Sequence, residues 1–242
     1  MSSLNGQMVV EIWSDVACPY CFIGKKKFEK ALQQFPERDK IKIQWKSFQL
    51  SPELKTNPDI TIYEYLCDSK GINIEEAKEM TYFAEESAAS TGIKLNFDKV
   101  IPANTLRAHI LLHLARQNGK QNEVKEKLFH AHFVEGKNVD DITVLGEIAA
   151  SSGISTEQLH KVLQDESYAD SVREDIYEAR QLAIRSVPFF VFNRKYAVNG
   201  AQDPVVFLRT LEKAFEEWRD ENSAVNIEII QGESCSVDEG CK

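Results

Sequence analysis

The sequence predicts an α/β fold in which a β-α-β unit and a β-β-α unit flank a large all-helical insertion. Three observations carry this expectation. Short apolar runs near both ends have strand character, the long middle of the chain has helical periodicity, and an amphipathic segment follows the last strands.

In chain order, residues 8–14 form a short apolar strand, and 19–35 repeat apolar residues at helical spacing through Phe22, Phe28, Leu32 and Phe35. Ile41, Ile43 and Trp45 alternate with Lys42, Gln44 and Lys46, a second strand expected to continue to about Leu50. A right-handed crossover makes these two strands parallel neighbours. From 61 to 184 the pattern is helical, with candidate helices at 61–69, 74–91, 105–118, 122–134, 141–151, 156–164 and 168–184, punctuated by glycines at their ends. Ser155 and Gln158 fit a capping box. Residues 187–192 then read as a strand, 193–195 as a turn, 196–198 as the hairpin partner and 204–218 as a helix. The expected organisation is one discontinuous domain, 1–60 with 185–225, an inserted helical domain at 61–184, and a polar C-terminal tail at 226–242.

Composition narrows the function classes. A formal charge of −9 and a sequence pI near 5.2 argue against a nucleic-acid partner. No apolar run approaches the roughly 18–20 residues that span a bilayer. The start, 1–7, lacks the basic and apolar regions of a secretory signal, so a cytoplasmic location is expected, with no membrane partner. Lys25, Lys26 and Lys27 read as a solvated helix face.

The chemistry points to Cys18-Pro19-Tyr20-Cys21, where the first strand runs into a helix. Cysteines three apart at a helix start share one face, with Cβ atoms roughly 5–6 Å apart, within reach of a disulfide. Pro19 suits the first helical turn, where no N–H is needed. Cys18 then sits at the helix mouth, where free N–H groups and the positive end of the dipole favour a thiolate. This makes Cys18 the attacking sulfur and Cys21 the resolving one. In a chain with five cysteines the spacing alone says little; strand, proline and helix together say more.

The element order is that of the thioredoxin fold, and several segments resemble the DsbA-like thioredoxin-fold family, in particular its cytoplasmic FrnE-like branch. The matching pieces are W-S-D-V-A-C-P-Y-C at 13–21, N-T-L-R-A-H at 104–109, S-V-P-F-F-V-F at 186–192 and Y-A-V-N-G-A-Q at 196–202. The resemblance implies a thiol–disulfide oxidoreductase, of disulfide reductase or isomerase type, acting on protein or small-molecule disulfides. It carries no bound cofactor beyond the redox-active disulfide, with glutathione as a candidate co-substrate. It also implies a cis peptide at Val187-Pro188, whose outward-turned backbone would hold a substrate segment beside Cys18, and places Pro19, Tyr20 and Asn104 at the substrate cleft. Cys235 and Cys241 resemble an auxiliary redox pair, against the plainer reading of two exposed thiols.

Two other classes compete. Glutathione-dependent relatives, the kappa-class transferases and 2-hydroxychromene-2-carboxylate isomerases, resemble this chain in the insertion and around Asn104-Thr105, but typically carry serine at the position of Cys18 and lack the second cysteine. A zinc module would use Cys18, Cys21, Cys235 and Cys241, although the second pair lacks the usual short spacing, so no metal site is assigned. Cys67 is expected in the core beside Ile62, Tyr63 and Leu66. His109 and His113 are expected to serve packing, since no acidic motif accompanies them. Asp15, close to the first cysteine, would steer its proton balance or cap its loop.

Overall fold

The computed structural model describes residues 6–222, 235–236 and 240–241. Four strands, β1 (Met8–Ser14), β2 (Ile41–Ser47), β3 (Phe189–Phe192) and β4 (Tyr196–Asn199), form one sheet in the order β2-β1-β3-β4. β1 runs parallel to β2, Met8 opposite Ile41 through Ser14 opposite Ser47, and antiparallel to β3. This is the expected β-α-β unit, with α1 (Pro19–Gln34) as its crossover.

Alternation along β1 decides what covers each face of the sheet. Met8, Val10 and Ile12 join Phe28 of α1, Phe190 and Phe192 of β3, and Phe207, Leu211 and Phe215 of α9 (Pro204–Asn222) in one apolar core. Glu11 and Trp13 point the other way. Trp13 donates its indole N–H to the Asp175 carbonyl at 3.0 Å, and Arg194 pairs with both Glu11 and Glu178, so helix α8 (Glu166–Gln181) covers this second face.

Seven α-helices lie between β2 and β3: α2 (Ile62–Lys70), α3 (Ile74–Ala89), α4 (Leu106–Gln117), α5 (Gln121–His130), α6 (Ile142–Ser151), α7 (Thr156–Leu163) and α8. Their core, around Leu111, Leu128, Leu145, Leu159 and Val172, also takes in Val16 from the loop before α1. The expected box at α7 is present, Gln158 accepting from the Ser155 N–H at 3.3 Å.

Several expectations need correction. The helix expected over 122–134 stops at His130, and a π-helical turn, Ala131–Glu135, follows it. That turn ends on Gly136 at φ 70°, where a Cβ would lie 2.5 Å from the Cβ of Lys99; only glycine fits there. β2 ends at Ser47 rather than Leu50, because side chains take over its backbone: Asp175 accepts from the Ser47 N–H and Asp15 from the Leu50 N–H. β3 starts at Phe189, not at 187. Lys25 is 2% exposed rather than solvated, its charge met by Glu29 at 2.5 Å and Glu126 at 2.6 Å. Cys67 is only half-buried, since α2 places no residue fully inside.

The free edge of β2 is closed by a side chain. Gln121 accepts from the Trp45 N–H at 3.0 Å and donates to the Trp45 carbonyl at 2.9 Å, doing what a neighbouring strand would do. Gln121→Leu should therefore leave a buried donor and acceptor unpaired and cost about 2–4 kcal/mol in denaturant unfolding. A loss under about 0.5 kcal/mol would mean that water replaces the amide fully.

Candidate active site

The turn 15–17 follows β1 and delivers Cys18 to the N-cap of α1, with Pro19 as first helical residue. Cys18 is 5% exposed and Cys21, one turn deeper, fully buried; both are free thiols. Pro19 is half-buried and Tyr20 is 41% exposed, so the dipeptide between the sulfurs forms the outer lip of the site. The Cys18 thiol donates to the Val187 carbonyl across 3.6 Å, within a sulfur hydrogen bond. The Val187-Pro188 peptide is cis. Pro188 is buried against α1, where a Cβ on Gly24 would lie 2.9 Å from the proline ring, so helix and loop can approach this closely only at glycine.

Beneath Cys18 lies Asp15, 1% exposed. One carboxylate oxygen accepts from the Leu50 N–H at 2.7 Å; the other meets His109 Nε2 at 3.2 Å and the Ala17 N–H at 3.4 Å. Burial works against its charge, but His109, the Leu50 N–H and the Thr105 hydroxyl together hold it below the usual carboxylate range. His109 is fully buried, and burial lowers its pKa in spite of Asp15. The pair is therefore carboxylate and neutral imidazole near pH 7. His113 makes a parallel link, 3.2 Å from Asp175 and 3.1 Å from the Ser47 hydroxyl. The acidic partners of both histidines come from elsewhere in the chain, which their local sequence does not show.

Cys18 departs from the expected thiolate. Its hydrogen bond with Cys21, burial and the charge of Asp15 push the thiol well above its ordinary range. The helix mouth is present, but a buried thiol neighbour and a buried carboxylate outweigh it.

A cavity of about 400 Å³ opens beside Cys18, roofed by α2 and α3 and lined chiefly by apolar side chains, among them Leu54, Leu66, Met80, Phe97 and Phe133. The π-helical turn adds His132, 2% exposed, whose Nδ1 has no hydrogen-bond partner. Asn104 is not among the lining residues. Its amide is used on the backbone, donating to the Pro52 and Leu54 carbonyls at 3.0 and 2.9 Å and accepting from the Leu106 N–H at 2.9 Å. Sequence reasoning chose Asn104 from N-T-L-R-A-H and passed over Thr105 and His109, the members of that segment that reach Asp15.

Of the second cysteine pair only the backbone is described. Two-residue strands β5 (Cys235–Ser236) and β6 (Gly240–Cys241) pair antiparallel with Cys235 opposite Cys241. The rest of the expected tail, 226–234, 237–239 and 242, lies outside the described residues. Among the described residues no three His, Cys, Asp or Glu side chains cluster as metal ligands, and no helix is long and apolar enough to cross a membrane.

A model of the DSBA-like thioredoxin domain matches residues 9–212, from β1 into the last helix. The chain belongs to the DsbA-like family. Members of this family are thiol–disulfide oxidoreductases, and the strand, C-P-Y-C helix and Val187-Pro188 loop fall inside the matched span. The structure is similar to a probable DsbA oxidoreductase from Streptomyces coelicolor, with TM-score 0.80 and 35% identity, covering 98% of this chain and 99% of that one. A curated relative, the uncharacterized protein YwbO of Bacillus subtilis (strain 168), is 27% identical over 205 residues, 84% of this chain and 94% of that protein. The fold also matches the cytosolic disulfide reductase DsbM from Pseudomonas aeruginosa, solved with GSH, at TM-score 0.58 and 13% identity, over 88% of this chain and 98% of that one.

Burial of unpaired imidazole has a measurable consequence. The pKa of His132 falls to about 4, because burial disfavours its charged form. The unfolded chain, with its histidines near 6.5, binds protons between those values that the folded DsbA-like protein does not, so stability falls as pH drops through that window. From pH 7 to 5 this residue alone should cost about 2 kcal/mol. In urea titrations at both pH values, His132→Leu should remove that part of the loss; an unchanged difference would show that His132 is not buried neutral.

Proposed function

We propose that Cys18 and Cys21 are the redox pair of a thiol–disulfide oxidoreductase of disulfide reductase or isomerase type, acting on protein or small-molecule disulfides. The observation that carries this reading is the meeting of three parts at one point. Cys18 lies at the mouth of α1, faces both the cavity and the Val187 carbonyl, and has Cys21 directly behind it and sealed from solvent.

The mechanism follows from that order. Cys18, as thiolate, attacks one sulfur of a substrate disulfide and releases the other half as a thiolate. Cys21 then attacks Cys18 in the mixed disulfide, forming Cys18–Cys21 and releasing the second half. Val187 and Pro188 hold the substrate segment by its backbone, and Pro19 and Tyr20 form the other wall. The cavity accepts the apolar body of a small-molecule disulfide. A Cys18 thiol that is pushed up is a poor leaving group in the reduced direction, which favours the closed disulfide and hence net reduction of substrates. That direction suits a cytoplasmic, FrnE-like reductase returned to its dithiol form by an external thiol such as glutathione. Cys235 and Cys241, opposite one another in their ladder, are candidates to relay electrons to it.

A glutathione-dependent isomerase or transferase would need only one group at the helix mouth, and the buried Cys21 behind Cys18 favours two-cysteine chemistry instead. Cys18→Ser should abolish turnover of a model disulfide, a loss of at least about a thousandfold. Cys21→Ser should trap a mixed disulfide on Cys18, visible by mass spectrometry. Full disulfide reductase, oxidase and isomerase activity in the Cys18→Ser protein would sink the reading. Chromene isomerisation or glutathione conjugation surviving Cys21→Ser would put the alternative in its place.

A further inference from the structure

His132, on the π-helical turn, borders the cavity that opens beside Cys18. It is 2% exposed, and its ring meets that of Phe133 edge-on, with centroids 4.6 Å apart. His109, His113 and His130 each face a carboxylate within 3.2 Å. His132 faces none, and neither of its ring nitrogens has a hydrogen-bond partner among the described residues. Nδ1 is sealed from solvent, whereas Nε2 is not. On a ring this buried, the opening left to Nε2 is the cavity.

A buried polar ring without a protein partner is costly, and a ligand atom that pairs with it recovers that cost. The state of the ring narrows what the ligand carries. Burial holds the imidazole neutral, with a pKa of about 4, against the pull of Asp15. A neutral imidazole has one N–H. On Nδ1 that hydrogen would be a sealed donor with no acceptor, so it belongs on Nε2, where it meets an oxygen of the ligand. An anionic group is poorly served here. The charged side chains on the cavity wall are Asp15, an anion beneath Cys18, and Lys70, exposed at the end of α2. The rest of the wall is chiefly apolar, with Leu54, Leu66, Met80 and Phe97 among its side chains.

We propose that His132 selects the substrate: the cavity takes a small, uncharged, apolar disulfide whose hydroxyl or carbonyl oxygen accepts a hydrogen bond from His132 Nε2 while its sulfur lies at Cys18. The inference rests on the reading of Cys18 and Cys21 as the redox pair and adds to it the class of molecule served. A hydrogen-bonding wall of this kind discriminates between molecules of equal size, because the wrong one leaves the buried group unpaired.

The test compares three disulfides of similar shape: bis(4-hydroxyphenyl) disulfide, bis(4-methylphenyl) disulfide and 4,4′-dithiodibenzoate. The full chain carrying Cys67→Ser, Cys235→Ser and Cys241→Ser is reduced and mixed with each, and the half-saturating concentration is read from single-turnover stopped flow. With His132 present, the hydroxyl compound should saturate at the lowest concentration and the carboxylate at the highest. His132→Leu should move the ratio of the hydroxyl to the methyl value by at least about tenfold in favour of methyl, since the hydroxyl then enters the wall unpaired. His132→Gln, whose amide N–H can serve the same oxygen, should recover part of that ratio. A ratio left within about twofold by His132→Leu overturns the proposal, as does tightest saturation by the carboxylate compound. If neither variant folds, the protein with His132 decides, since methyl saturating ahead of hydroxyl counts equally against it. Cys18 left unmodified by all three compounds in mass spectra would instead overturn Cys18 as the nucleophile, and with it the reading on which this selection rests.

Discussion

The buried carboxylate of Asp15 is the joint on which this structure turns. Its oxygens reach the Leu50 N–H beyond β2, the Ala17 N–H of the turn and the ring of His109 in the insertion. Two separate stretches of chain are thereby fixed to the turn into Cys18, which the third contact closes on itself. Isolated in an apolar interior such a charge would be prohibitive, so each of these donors is a condition for the others. Removing His109 would leave the carboxylate short of the neighbour that most lowers its pKa. The path of the chain into α1, and the position of both sulfurs, depend on that balance.

The same charge sets the chemistry. A carboxylate below Cys18 opposes a second negative charge on sulfur, which is part of why the thiol is pushed up despite the helix mouth. Burial brings the pKa of Lys125, on α5, down to about 8, while Cys21 and Asp15 draw it toward its charged form. The site thus holds one fixed anion and two thiols in a space from which water is largely excluded. In such a space small changes in protonation carry more energy than at the surface.

Most of the fold was legible because periodicity is local. The apolar run of 8–14, the alternation from Ile41 to Lys46, the helical stripes and the turn at 193–195 each need only neighbouring residues to be read. The C-P-Y-C helix start was legible for the same reason, since Cys18, Pro19 and Cys21 lie within one turn of sequence. The site's second half was not. His109 is 94 positions from Asp15, and Gln121 is 76 from the Trp45 backbone it closes, so no spacing links them. Lys125 is a different case. It sits in Q-N-E-V-K-E-K, a run that looks solvated, yet it falls beside Val124 and Leu128 on the buried stripe of α5, together with Gln121. Polar residues at positions that the helical period assigns to the core were the available signal, and residue type hid it.

These long-range links also bear on what the insertion is for. Were it only a roof, the chemistry would be complete in β1, α1 and the Val187-Pro188 loop. Instead α4 supplies the imidazole that holds Asp15, α5 supplies Phe129, which stacks on the residue after Cys21, and the π-helical turn supplies His132 at the cavity wall. Val16, between Asp15 and Cys18, packs into the helical core rather than the sheet core. The turn that carries Cys18 is therefore held from both sides. In this member of the DsbA-like family, the helical block contributes to the candidate site alongside the strand and helix that bear the cysteines.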